Sequence, residues 1–238
     1  MSSLNTETDT GGRSGGGPTA GRDPVPEVVD WAISGVAGVI GLFVTAFGAW
    51  LFVAVDRQFI SDIVRAEGVE LNGITPAEAI TAGVPFVEWS AVGIAVTGLV
   101  LALGAGLFIR RRRATRRRVD REGGTTATFW AATVYGAAVT VVTSFIPVSA
   151  ALGGGVAASI RDGRDAVRVG AAAGAFPTAL SAPFVVFLSV AFLLATDAIG
   201  QPGGGVFLAG ISLFGLLFAG LINAGLGAAG GWVADRWA

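Results

Sequence analysis

The sequence predicts an all-α, polytopic transmembrane helix bundle. Three observations predict it. Of 238 residues, 53% are hydrophobic and only 14% are charged, against about 25% charged in soluble domains. The apolar residues fall into long stretches that reach the roughly 20 residues needed for a spanning helix. The arginines gather beside the ends of those stretches, as they do where membrane helices meet the cytoplasm. A soluble globular enzyme is excluded, because a chain of this size cannot hide so much apolar surface from water. Disorder is excluded for all but the N-terminus.

The N-terminal 30 residues read as a flexible cytoplasmic tail rich in Gly, Ser, Thr, Asp and Pro, without apolar periodicity. They lack a basic region followed by a short apolar core. The first hydrophobic segment is therefore expected to be a retained anchor and not a cleaved signal.

Five long apolar stretches follow, at 31–55, 84–109, 127–146, 169–195 and 206–233. A sixth, PVSAALGGGVAASI at 147–160, has a length more typical of a re-entrant or unusually short helix. The expected architecture is five long spans plus this short Gly-rich fourth segment. It divides into the tail at 1–30, a two-helix hairpin at 31–109, an Arg-rich cytoplasmic linker at 110–126 and a Gly/Ala-rich domain at 127–238. The loop at 56–83 joins the hairpin externally. Within it, Thr75-Pro76-Ala77-Glu78 reads as an N-cap, a first-turn proline and an early acid, so a helix starts there. Pro85 predicts a break near Val84. Phe59, Ile60, Ile63 and Val64 form a short amphipathic face suited to the outer interface.

Arginine placement sets the topology. All sixteen basic residues are arginine. The segment RRRRATRRRVDR contributes Arg110, Arg111, Arg112, Arg113, Arg116, Arg117, Arg118 and Arg121, directly after the second span. That end is therefore cytoplasmic. If 147–160 does not cross, ten arginines lie inside and six outside; if it does, the split is fourteen to two. The six-segment arrangement fits the positive-inside rule better and puts both termini in the cytoplasm of a cell-membrane protein. The five-span arrangement is the alternative. Trp31, Trp50, Trp89, Trp130 and Trp232 lie within a turn or two of span ends, as indoles at the headgroup level do.

Small residues form seams. Ser34, Gly38, Gly41, Thr45 and Gly48 follow a 4-3-4-3 spacing, and Ala91, Ala95, Gly98, Ala102 and Ala105 repeat it. This pattern lines one stripe of a helix and lets backbones approach closely. Spans one and two are thus expected to form a tight antiparallel pair. Gly220, Ala224, Gly227 and Gly231 mark a similar stripe in the last span.

Little in the chain points to chemistry. Cysteine and histidine are absent, which excludes disulfides, thiol catalysis, Cys/His metal sites and histidine relays. There is no nucleophile–base pair, Walker loop or paired-carboxylate motif. No catalytic, cofactor or metal residue is assigned, and an enzyme is not expected. The arginine cluster reads as a topology determinant that contacts anionic lipid headgroups, or as a docking site for a partner. Nucleic acid is not expected, because no aromatic platform accompanies the arginines. A homo-oligomer or a membrane-protein partner is compatible with the seams. The expected role is that of a non-catalytic integral membrane protein acting through helix packing and lipid or partner contacts. The alternative is a small transporter or channel, with Pro147, Pro177, Pro183 and Asn223 as pore or hinge positions.

FIPVSAALGGGVAASI, the charged turn RDGRDAVR running into VGAAAGAFP, and the terminal GAAGGWVADR together resemble a haloarchaeal multi-pass membrane protein family of unknown function. The resemblance covers about residues 127–238. It implies a proline-containing turn, a short Gly-rich segment, a polar turn and a GG-rich closing helix. It implies no activity and no site residue. The arginine-only usage resembles haloarchaeal proteins in the same way.

Overall fold

A computed structural model describes residues 25–66, 73–161 and 165–237. Among these residues the secondary structure is seven helices: α1 (Glu27–Ala54), α2 (Arg57–Ala66), α3 (Pro76–Glu122), α4 (Phe129–Val142), α5 (Ser149–Ile160), α6 (Ala166–Asp197) and α7 (Pro202–Trp237). The all-α bundle expected from the sequence is what forms. Four helices, α1, α3, α6 and α7, are long and apolar enough to cross a membrane.

Several boundaries differ from the sequence reading. Helix α1 begins at Glu27, inside the stretch assigned to the tail, and its first acids Glu27 and Asp30 suit the positive end of the helix dipole. Helix α3 starts at the expected Thr75 cap. The Thr75 hydroxyl accepts from the Glu78 amide while the Glu78 carboxylate accepts from the Thr75 amide. It then continues through Pro85 without a break, because a proline removes one backbone donor and an otherwise strong helix absorbs that loss. It also continues through the arginines that were expected to form a linker. Its 47 residues span about 70 Å at 1.5 Å per residue, so its last turns project well beyond a hydrocarbon core of about 30 Å. Helix α2 lays Ile60 against Gly83 of α3.

The largest departure concerns 127–146. This stretch was expected to be a full span, yet helix α4 is only 14 residues and α5 only 12. At 1.5 Å per residue these reach about 21 and 18 Å, less than the membrane core. The helix stops because Thr143, Ser144 and Pro147 end it: hydroxyls compete for helix carbonyls and the proline cannot continue the ladder. Thr143 donates its hydroxyl to the Val139 carbonyl at 2.7 Å. The turn between the two helices satisfies much of its own backbone. Ser144 N–H reaches the Val141 carbonyl, Ile146 N–H that of Thr143, and Ser149 N–H that of Ile146. Nonhelical backbone in an apolar setting requires such bonding.

The two short helices run antiparallel. Phe129, at the start of α4, packs on the same cluster as Ile160, at the end of α5. Gly136 and Gly153 meet along their length. Arg161 donates to the Ala127 carbonyl at 3.3 Å and lies over the Phe129 ring at 5.9 Å. The hairpin therefore leaves and returns to the same end of the bundle, the end that carries Arg112, the start of α6 and the finish of α7. Arg161, Arg168 and Arg236 lie at that end as the six-segment arrangement required, and the two helices that return the chain there are each shorter than a membrane core. Arg164 lies outside the described residues.

Candidate functional site: a buried charge cluster and a basic helix end

Three chain segments converge at the arginine-bearing end. The first turns of α1 contribute Asp30, α3 contributes Arg112 and Arg116, and α4 contributes Tyr135. Asp30 is fully buried and Arg112 is 4% exposed. The Arg112 Nε donates to both carboxylate oxygens of Asp30 at 3.1 Å. Arg116 donates to Asp30 Oδ2 through Nε at 3.1 Å and Nη2 at 2.7 Å. The Tyr135 hydroxyl donates to Asp30 Oδ1. The same arginines hold nearby backbone. Arg112 Nη1 reaches the Thr126 carbonyl at 2.6 Å and Arg116 Nη2 the Val25 carbonyl at 3.0 Å. Phe108 packs edge-on against Tyr135, with centroids 6.0 Å apart.

One carboxylate is thus shared by two guanidiniums and a phenol, and the pairing ties the α1–α3 hairpin to α4. Desolvating such charges is costly unless their hydrogen bonds are filled, and here both Asp30 oxygens are occupied. The arrangement holds a carboxylate in place. Among the described residues no group of three or more acidic, His or Cys side chains is placed to hold a metal.

The cluster splits the eight arginines. Arg112 is buried and Arg116 partly buried, and both turn toward Asp30. Arg110, Arg111, Arg113, Arg117, Arg118 and Arg121 are exposed. Arg113 stacks on Trp31 at 4.3 Å from the ring centroid, and Arg118 pairs with Glu122 at 2.8 Å. A polar bay of about 700 Å³ opens beside them, lined by Arg113, Arg116 and Arg117 with the acids Glu27 and Asp120.

The small-residue seams lie at helix contacts. A Cβ added at Gly41 would stand 2.6 Å from the Ala102 nitrogen, and one at Gly48 would stand 2.5 Å from the Ala95 nitrogen and 2.7 Å from the Ala91 carbonyl. Gly98 faces Thr45, whose hydroxyl bonds back to the Gly41 carbonyl at 2.8 Å. Gly38 is looser, with only the Ala105 Cβ at 4.0 Å. Ser34 is buried on the same α1 face. In the last helix Gly227 presses against Gly170, Gly174 and Gly154, and Gly231 against Ala166. Gly220 has only the Thr178 methyl near it, at 3.7 Å, and Ala224 is partly buried.

The proposed hinge positions take quieter places. Pro147 sits in the α4–α5 turn. Pro177 and Pro183 lie inside α6, which stays helical through both. Asn223 Nδ2 donates to Thr178 Oγ1 across the α6–α7 contact at 3.0 Å.

Helix lengths, apolarity and packing define a multi-pass α-helical membrane protein. Its C-terminal part, residues 130–236, matches the model of a family of unknown function (DUF5518). That match takes in α4 through α7, so Tyr135 falls within it while Asp30, Arg112 and Arg116 fall before it. No curated protein and no solved structure matches the chain.

Proposed function

We propose that the chain is a non-catalytic protein of the cell membrane that acts through helix packing and through lipid or partner contacts at its arginine-bearing end. In this reading that end and both termini are cytoplasmic. The observation that carries it is the division of the α3 arginines. Two are drawn into the bundle around Asp30 and fix the helix, and six project from its exposed turns as a basic surface. Such a surface attracts anionic headgroups at about 1 kcal/mol per basic residue. The polar and glycine-rich features that suggested a pore are engaged in packing instead: Asn223 with Thr178, and the α5 glycines with α4 and α7. A second membrane protein or a second copy of the chain is the partner this surface and the apolar outer faces would suit.

The test is purification from native membranes in mild detergent, with mass spectrometry of what accompanies the chain, alongside reconstitution into liposomes with an ion and solute flux panel. Co-purifying lipid or protein with no flux is expected. A lone protein that carries solute would overturn the proposal.

A further inference from the structure

The height of the α4–α5 hairpin within the bundle is fixed by its contacts with α6 and α3. A Cβ at Gly136 would stand 2.7 Å from the Ala173 Cβ, which sets those two positions at one level. From Ala173 to the end of α6 at Asp197 is about 36 Å at 1.5 Å per residue. From Gly136 to the end of α4 at Val142 is about 9 Å, and three turn residues add at most about 10 Å when fully extended. The tip of the hairpin is therefore at least about 17 Å short of the far end of α6. Helix α3 gives a second measure. Phe108 packs on Tyr135, and Trp89 lies about 28 Å from Phe108 along α3. Val142 lies only about 10 Å beyond Tyr135. The tip presents Val141, Val142, Phe145 and Val148 as exposed apolar side chains. Its backbone bonds within the turn, as a turn that ends in hydrocarbon needs.

We infer that the chain is a wedge that favours a bilayer bent convex on its arginine-bearing side. Among the described residues, the half of the bundle at that end holds α1, α3, α4, α5, α6 and α7 side by side, and the far half holds α1, α3, α6 and α7. A helix with its side chains is about 10–12 Å across, so the hairpin adds roughly 200 Å² of cross-section to one leaflet. Lipids surround a body that is wider in one leaflet with least strain when that leaflet is the stretched one, on the outside of a bend. Helix α2 does not fill the far half. Its Ile60 meets Gly83, about 9 Å outward of Trp89 along α3, at the level of headgroups and not of acyl chains. The inference goes beyond the contacts proposed above, since it depends on shape and needs no headgroup charge.

Thin tubes drawn from giant phosphatidylcholine vesicles test it, because the outer leaflet of a tube is the stretched one. The chain has no cysteine, so single cysteines report orientation. Full-length Thr125→Cys, at the arginine-bearing end, and Ala198→Cys, in the α6–α7 turn, are each reconstituted in both orientations. Each is then labelled from outside with an impermeant fluorescent maleimide. The first reports only molecules with the arginine-bearing end outward, and the second only molecules the other way round. Relative to a lipid dye, the tube-to-vesicle ratio of Thr125→Cys is expected to exceed one and to rise as the tube narrows. That of Ala198→Cys should fall below one. Equal partition of both populations overturns the wedge, and it is the result if a second copy fills the far half. Enrichment of both means an affinity for tubes without a sign and overturns it too, as does enrichment of Ala198→Cys alone. Depth-dependent quenching of a fluorophore on Phe145→Cys by nitroxide lipids is the second measurement. Strongest quenching by labels near the acyl-chain ends supports the wedge, and strongest quenching by headgroup labels means that the hairpin crosses and overturns it. Solute flux would defeat the function proposed above and leave the wedge standing; a curvature preference without sign defeats the wedge alone.

Discussion

A carboxylate with no exposed surface persists only if its neighbours replace its water. For Asp30 they are Arg112, Arg116 and Tyr135, and each does a different part of the work. Arg112, itself buried, depends on Asp30 as much as the reverse. Asp30→Ala is therefore expected to cost about 3–5 kcal/mol, because it strands buried guanidinium charge. The readout is the midpoint of unfolding in a detergent–denaturant titration. Adding Arg112→Met to that variant should recover part of the loss, since the double change removes the stranded charge along with its partner; a double variant no better than Asp30→Ala would mean that Arg112 contributes chiefly through the Thr126 carbonyl. Tyr135→Phe removes one hydrogen bond to a charged group and should cost about 1.5–3 kcal/mol. Because Tyr135 is the link to α4, its loss should also loosen the α4–α5 hairpin, seen as faster amide exchange there than in α7.

At the scale of the helix, the seams were largely legible because small residues at heptad-like spacing have one physical use in lipid, which is close approach of backbones. Gly41 opposite Ala102 and Gly48 opposite Ala95 follow the antiparallel register of the two stripes. The charge cluster was legible too, though it was missed. One helical step before Ser34 along the α1 stripe is Asp30, and seven residues after Ala105 along the α3 stripe is Arg112. The register that pairs Gly38 with Ala105 pairs these two as well. Reading the eight arginines as one charged run hid that two of them continue an inward-facing stripe. Composition alone does not say which glycines matter, because tightness depends on how far the helices splay. Gly41→Ala is expected to destabilise by about 1–3 kcal/mol through overpacking. Gly38→Ala, where the nearest atom is 4.0 Å away, should be neutral or stabilise by up to about 1 kcal/mol through helix propensity. The same denaturant titration measures both, and equal effects would refute the register.

For the molecule as a whole, charge bias and element length gave different kinds of information. The arginine count required an even number of crossings between the cluster and α6, and the fold satisfies that. It does so with a hairpin whose two helices are each short of a core of about 30 Å, so a re-entrant arrangement stands beside the two traversals that the sequence suggests. The apolar length of 127–146 concealed this, because hydropathy does not register where Thr143, Ser144 and Pro147 stop a helix. The two arrangements put the α4–α5 turn in different places. Had both segments crossed, Phe145 would meet water on the far side. In a hairpin that stays within the core, this residue, 81% exposed, would meet lipid, since α4 reaches only about 21 Å from its start. The cysteine-free chain makes this measurable with single cysteines and a membrane-impermeant maleimide. Ala198→Cys, in the turn between α6 and α7, should label in intact cells. Thr125→Cys should label only once the membrane is opened. Phe145→Cys should resist the reagent from both sides and react with a lipid-soluble maleimide. Labelling of Phe145→Cys in intact cells would restore the six crossings.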